Sequence, residues 1–259
     1  MLADSEVQRA LVVTAHPDDV DFGAGATMAS WRAQGIEVTY CVITDGDAGG
    51  FDPTVPRSQI PSIRRAEQTA AAAACGVTDV RFLGYRDGEL TVSHELRRDI
   101  SRVIRQVRPA RVVIQSPERN WDRIYSSHPD HLAAGEAAIQ AVYPDARNPF
   151  AHPTLLQDEG LEDWAVPEVW VMSAKTPNHF VDVTDYFDAK IAALRAHESQ
   201  TGHMDDLVER IEGWLTVNAQ EAGLDQGRLA EAFMVVSTAR GHDMAGSLRM
   251  TGWRHAVRF

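Results

Sequence analysis

Residues 10–27 read Ala-Leu-Val-Val-Thr-Ala-His16-Pro17-Asp18-Asp19-Val20-Asp21-Phe22-Gly23-Ala-Gly25-Ala-Thr27. The apolar, β-branched run Leu11, Val12, Val13 predicts a buried strand over 10–15 that breaks off at a proline-containing turn. That turn carries one imidazole and three carboxylates just past the strand's C-terminal end, where open α/β sheets place their chemistry. Apolar periodicity resumes with Met28 and Trp31 and stops at Gly35, which predicts a helix over about 23–34.

His16 and Asp19 are three residues apart, so a loop that curls once aims both at one metal ion and leaves Asp18 facing the open side. An Asp-rich turn can also do no more than cap the helix behind it. A second block weighs against that simpler role. His128-Pro129-Asp130-His131 again follows an apolar strand, Arg111-Val-Val-Ile-Gln115, and again opens a helix, with Pro129 suited to its first turn. Two neutral imidazoles and a carboxylate suit zinc with a fourth position open to water. The candidate ligands are therefore His16, Asp19 and one or both of His128 and His131.

The intervening chain keeps the same rhythm. A strand over 36–44 is followed by the loop Asp45-Gly46-Asp47-Ala-Gly49-Gly50, then by an Ala-rich helix from an N-cap at Ser62 to Ala74. On that helix Arg64 and Glu67 sit one turn apart, suited either to a surface ion pair or to substrate contact. A strand over 79–84, a turn at Asp87-Gly88 and a helix capped by Ser93 come next, stopped near Pro109. Strands alternating with 10 to 15-residue helical patterns predict an α/β fold, a Rossmann-like, mostly parallel sheet with helices on both faces.

Beyond Tyr143 the rhythm changes. Residues 144–166 are rich in proline and acids and predict a long loop acting as a functional wall. Strands over 169–172 and 180–183, helices over 185–197 and about 204–219, and a late strand over 232–237 complete the sheet and supply a rim. We expect one domain over 1–259, with 1–143 as the half that carries the metal site and 144–259 as a smaller C-terminal extension.

Composition limits the partners. The 259 residues hold 25 Lys plus Arg against 37 Asp plus Glu, a net charge of −12 that repels phosphate backbones and anionic lipid surfaces. Nucleic acid and membranes are not expected partners, and the basic run Arg97-Arg98 to Arg108 reads as a solvated helix face. The N-terminus lacks the basic start and apolar core of a signal peptide, and no apolar run approaches ~18 residues, so a cytoplasmic protein is expected. Cys41 and Cys75 read as small core residues rather than a disulfide.

These residues resemble the LmbE-like, PIG-L family of zinc-dependent N-acetylglucosaminyl deacetylases. The likeness rests on Ala15 to Thr27, Thr44-Asp-Gly46, Arg64 with Glu67, Leu83-Gly with Asp87-Gly-Glu-Leu90, His128-Pro-Asp-His131, and Lys190-Ile-Ala-Ala-Leu with His197-Glu-Ser-Gln200. It implies that His16, Asp19 and His131 hold zinc, with iron(II) as the other candidate. Asp18 would be the general base and His128 would face the developing oxyanion, while Asp47, Arg64 and Asp87 would face the sugar. Two positions depart from the pattern. Val20 stands where the family commonly has Glu, and Ser126 stands where some relatives carry Tyr, with Tyr125 one place off.

The expected reaction is hydrolysis of the N-acetyl group of an N-acetylglucosamine-type sugar or sugar-containing small molecule. A general base, a donor to the oxyanion and a proton for the amine are all needed, and either Asp18 or His128 could protonate the leaving nitrogen. Asp130 or Asp21 would orient a ligating imidazole through its other nitrogen. Two alternatives share parts of this reading: an amidase acting on a thiol conjugate, and a non-catalytic sugar or nucleotide binding module. The second is disfavoured because carboxylates fill the turn where a pyrophosphate would sit and the third glycine of a dinucleotide loop is missing. A homo-oligomeric state is left open. His94, His152, His179, His203, His242 and His255 have no partner at ligand spacing, and His197 reads as a structural histidine at a helix end.

Overall fold

Alternation along the first strand decides both faces of the sheet. In the computed structural model, which describes residues 1–239, β1 spans Arg9–Thr14; Ala10 and Val12 pack on one side, Leu11 and Val13 on the other. A strand apolar on both faces must be covered on both. Over the first face lie α1 (Asp19–Ala33), α2 (Ile60–Ala74) and α6 (Phe187–Ala196), through Met28, Trp31, Ala71 and Ala193. Over the second lie α3 (His94–Val107) and α4 (Pro129–Gln140), through Leu96, Ile100, Ala134 and Ala137.

The remaining strands are β2 (Glu37–Thr44), β3 (Asp79–Tyr85), β4 (Arg111–Gln115), β5 (Glu168–Met172), β6 (His179–Asp182) and β7 (Ala230–Ser237). They form one seven-stranded sheet in the order β3-β2-β1-β4-β5-β7-β6. The first five are parallel, and β7 enters antiparallel between β5 and β6. The sheet is thus mostly parallel, and its order reverses beside β1. At that switch point the loops after β1 and β4 meet, as open sheets require of a site.

Several boundaries move, each for a physical reason. α1 begins at Asp19 rather than near residue 23, because the turn runs straight into the helix and its acids Asp19 and Asp21 suit the N-terminal end of the dipole. Ser62 is not an N-cap: a 3₁₀ turn over Arg57–Gln59 feeds α2, and the Ser62 hydroxyl donates to the Gln59 carbonyl inside its first turn. Ser93 does cap α3, accepting from Leu96 N–H. β7 starts two residues early because Glu231, polar in sequence, is buried and paired with Lys190 at 2.7 Å.

Residues 144–166 are not a wall of the site. The segment contains α5 (Pro153–Gln157) and packs along α3, where Asp145 pairs with Arg97, Glu159 with Arg102 and Glu162 with Arg108. The basic face of α3 is therefore a complement to this acidic segment rather than a solvated surface. A single-turn helix, α7 (Glu198–Thr201), and a longer one, α8 (Leu207–Glu221), fill the C-terminal part. Cys41 and Cys75 are both free and buried. Among the described residues no helix is long and apolar enough to cross a membrane. His242 and His255 lie outside the described residues.

Candidate metal centre

The chain leaves β1 through Ala15, whose N–H donates to Gln115 Oε1 at 2.8 Å, so the ends of β1 and β4 are bridged before either loop departs. Asp18 then takes a left-handed backbone with φ of 95°, a conformation that costs most residues energy and that Asp tolerates. Three contacts hold it there. Its N–H donates to Gln68 Oε1 at 2.8 Å, and its carbonyl accepts from Asp21 and Phe22 as α1 begins.

α4 approaches from the other side with no side chain in the way. A Cβ on Gly135 would lie 2.3 Å from the Gln115 carbonyl oxygen, so only glycine lets this helix press on the end of β4. That approach brings His128 and His131, at the N-terminus of α4, against His16, with ring centroids 4.9 and 5.1 Å away.

Two imidazole nitrogens and the two oxygens of one carboxylate converge. His16 Nδ1 is 3.2 Å from His131 Nε2 and 3.4 Å from Asp19 Oδ2, and Asp19 Oδ1 is 3.0 Å from His131 Nε2. The edges of a tetrahedron with metal–ligand bonds of 2.0–2.1 Å measure about 3.3 Å, so the spacing fits a small divalent cation. His16, His128 and His131 also form a group whose ligand atoms lie within 4.8 Å of one another.

On its other side His16 Nε2 meets Asp87 Oδ1 and Asp130 Oδ2, both at 3.2 Å. Asp130 is itself fixed by Gly88 N–H at 2.7 Å and Leu90 N–H at 3.2 Å. The carboxylate that orients the imidazole is thus Asp130, with Asp87 beside it, and not Asp21. Carboxylates at both nitrogens create a demand for positive charge. Burial works to lower the His16 pKa, but Asp130, Asp19 and Asp87 outweigh it and push it up to about 12. A divalent cation at Nδ1 answers the same demand, which is the chemical reason this donor set suits a metal.

The neighbouring groups are tuned differently. Burial raises Asp18 to about 6, against the Arg64 guanidinium, which lowers it. Burial tends to raise Asp19, yet His131 and His16 hold it well below the usual carboxylate range. Burial, helped by the positive charge on His16, lowers His128. His128 Nδ1 accepts from Asp130 N–H at 3.2 Å, so the neutral ring carries its proton on Nε2.

Arg64 is buried and committed to protein acceptors: the carbonyls of Pro17 and Gly46, and Asp18 Oδ2 at 2.9 Å. It makes no pair with Glu67, which accepts from the backbone and hydroxyl of Ser199. Asp47 accepts from Asp87 N–H at 3.0 Å and pairs with Arg57 at 2.7 Å. His197 is fully buried, its Nε2 on Asp21 Oδ2 at 2.8 Å, a structural contact. Gln68 escaped the sequence reading. Its amide nitrogen donates to Asp21 Oδ2 at 2.8 Å while its oxygen holds Asp18, and its only signal was a place one turn beyond Arg64 on the same helix, between Glu67 and Thr69.

The GlcNAc-PI de-N-acetylase (PIG-L) family matches residues 11–142. A diacetylchitobiose deacetylase from Thermococcus kodakarensis is 34% identical over 233 residues, covering 90% of this chain and 84% of its own. The chain belongs to the PIG-L family. A second relative, a probable N-acetyl-alpha-D-glucosaminyl L-malate deacetylase 2 from Bacillus cereus, is 33% identical over 201 residues, covering 75% of this chain and 84% of its own. Among solved structures, an N,N'-diacetylchitobiose deacetylase from Pyrococcus horikoshii superposes with a TM-score of 0.81 at 29% identity, covering 93% of this chain and 90% of that one. The PIG-L match ends at residue 142, yet Lys190 and Glu231 brace α1 from beyond it. Lys190 Nζ donates to the carbonyls of Asp21 and Phe22, and Glu231 accepts from Ala26 and Thr27.

Proposed function

We propose that this protein is a metal-dependent hydrolase that removes the N-acetyl group from an N-acetylglucosamine-type sugar. The observation that carries the reading is the three-donor set of His16, Asp19 and His131 at tetrahedral spacing, with Asp18 held beside it, in a chain of the PIG-L family. The same donors, two imidazoles and one carboxylate, favour zinc, with iron(II) as the competitor. A bound divalent cation would polarise the amide carbonyl and bring the pKa of water towards about 7.

Asp18 is the general base. Arg64 occupies its Oδ2, which leaves Oδ1 to take the proton of the attacking water. A carboxyl lifted to about 6 by burial can hold that proton and return it to the leaving nitrogen. His128 is neutral, with its proton on Nε2, so it donates a hydrogen bond to the developing oxyanion and keeps its proton. Preorganised donors of this kind are typically worth ~3–4 kcal/mol in the barrier. The division of labour between Asp18 and His128 thus follows from opposite shifts in neighbouring sites.

The test is to incubate the zinc-loaded protein with N-acetylglucosamine, N,N'-diacetylchitobiose and a thiol-conjugated amide, and to measure primary amine and acetate together. Equal amounts of amine and acetate from a sugar support the reading. Amine without acetate moves the assignment to an amidase, and no product from any of the three overturns the substrate class.

A further inference from the structure

A left-handed backbone persists at a non-glycine residue only where its surroundings hold it there, and the support of Asp18 reaches far into the C-terminal part of the chain. The Asp18 carbonyl accepts from the N–H groups of Asp21 and Phe22 at 2.9 and 3.0 Å. The carbonyls of those same two residues accept from Lys190 Nζ, both at 2.7 Å. Two successive hydrogen bonds therefore join a lysine on α6 to the backbone of the proposed base.

Lys190 is paired with Glu231, and each side chain is 1% exposed. A buried ion pair is a costly way to fill space, because desolvation of the two charges offsets much of their attraction. Apolar side chains would pack as well, but they cannot bond to a backbone. Lys190 commits all three N–H donors at 2.7 Å, to Asp21, Phe22 and Glu231. Glu231 accepts from Ala26 N–H on Oε1 at 3.2 Å and from Thr27 N–H on Oε2 at 2.8 Å.

All four of these backbone groups belong to the first turns of α1. The Phe22 carbonyl and the Ala26 N–H are the two ends of one i to i−4 step of a regular helix, and the ion pair bonds to both from the side. It thereby fixes the first turn of α1 against the rest of the helix, and that turn carries Asp18 at its N-cap and Asp19 at its start. Building on the deacetylase reading above, we infer that Lys190, with Glu231 as its counter-ion, is a positioning residue for Asp18. It holds the two peptides that hold the base, and with every donor committed to protein it acts through Asp18 rather than on substrate.

The experiment compares the full-length, zinc-loaded protein with Glu231→Gln and with the double variant Lys190→Met, Glu231→Gln. Denaturant midpoints give stability, acetate release from N,N'-diacetylchitobiose gives kcat and KM at equal zinc content, and amide hydrogen exchange reads the Asp21 and Phe22 N–H groups directly. Glu231→Gln leaves a buried cation without its counter-ion but keeps the carbonyl bonds, so it should lose the more stability and only about threefold in kcat. The double variant removes both charges and should recover stability, yet its kcat should fall about tenfold or more with KM within about twofold. Its Asp21 and Phe22 amides should exchange about tenfold faster or more, while those beyond Thr27 in α1 keep their wild-type rates. A kcat that falls no further in the double variant than in Glu231→Gln, or unchanged exchange at Asp21 and Phe22, overturns the inference. Should the double variant not fold, Glu231→Gln decides: protection kept at Asp21 and Phe22 against a lowered midpoint supports it, and protection lost in step with the midpoint overturns it. No acetate from the wild type overturns the deacetylase reading instead, and hydrogen exchange alone then decides the role of Lys190.

Discussion

Arg64 Nη2 donates to Asp18 Oδ2 at 2.9 Å from a buried position on α2, so the group proposed as base is held by a cation that solvent hardly reaches. That guanidinium partly cancels the effect of burial on Asp18. Arg64→Gln should move the acid limb of kcat/KM upward in pH by about one unit or more. Stability should respond too. Asp18 binds its proton more tightly folded than unfolded, so ionising it costs stability as pH rises from 3.8 through about 6, and without Arg64 the cost extends to higher pH. The variant should lose more stability at pH 8 than at pH 5. Thermal unfolding at the two pH values checks this, and equal losses would remove the coupling.

Asp18→Asn keeps the shape of the side chain and its place beside Arg64 but cannot accept a proton. Metal content should stay near that of the wild type while turnover drops about 10²- to 10⁴-fold. Metal analysis and initial rates on the same preparation test it. Normal turnover would sink the assignment of Asp18 as base.

Protons and metal compete for the same imidazoles. With His16 raised to about 12 and His131 also raised, the metal-free centre is protonated at neutral pH, and a cation has to displace those protons. Binding should release on the order of one to two protons, and affinity should fall as pH falls. Calorimetry in buffers of different ionisation enthalpy counts the protons. His131→Ala should abolish the stoichiometric binding, and a chelator should abolish activity that zinc or iron(II) restores to differing extents.

Gln68 holds Asp18 by its backbone rather than by its carboxylate. Gln68→Met leaves the Asp18 N–H without its acceptor, at a cost of roughly 1–3 kcal/mol in stability. If Gln68 positions the base, kcat falls with KM nearly constant. A loss of stability with unaltered kcat would make it a packing residue only.

Gly135→Ala tests the approach of α4. The new methyl meets backbone at 2.3 Å, so the helix has to retreat, at a cost of roughly 1–3 kcal/mol. Because His128 and His131 ride on that helix, metal affinity should weaken as well as the melting temperature. An unchanged dissociation constant would show that the histidines tolerate the shift.

What the sequence disclosed was local and periodic. Arg111–Gln115 reads as a strand from its own residues, and the two His-Pro-Asp blocks announce themselves by following apolar runs. The start of α1 was hidden because periodicity marks where a helix becomes apolar, not where its backbone turns. Residues 144–166 were misread for a related reason. Their acids look like a solvent-facing loop until matched with Arg97 and Arg102 of α3 and Arg108 at its C-terminal end, a complementarity between segments about 50 residues apart. The committed state of Arg64 and the role of Gln68 depend on distances that no spacing encodes.

His16 and His131 are 115 residues apart in the chain and 3.2 Å apart in space. An ion shared by them would close a loop of that length, as a disulfide does, in a protein whose two cysteines are buried and unpaired. In the chain-entropy picture a cross-link closing a loop of about 100 residues is worth about 4–5 kcal/mol. The cofactor would then be a staple as well as a reagent, and loss of the ion would cost the enzyme its resistance to heat along with its activity.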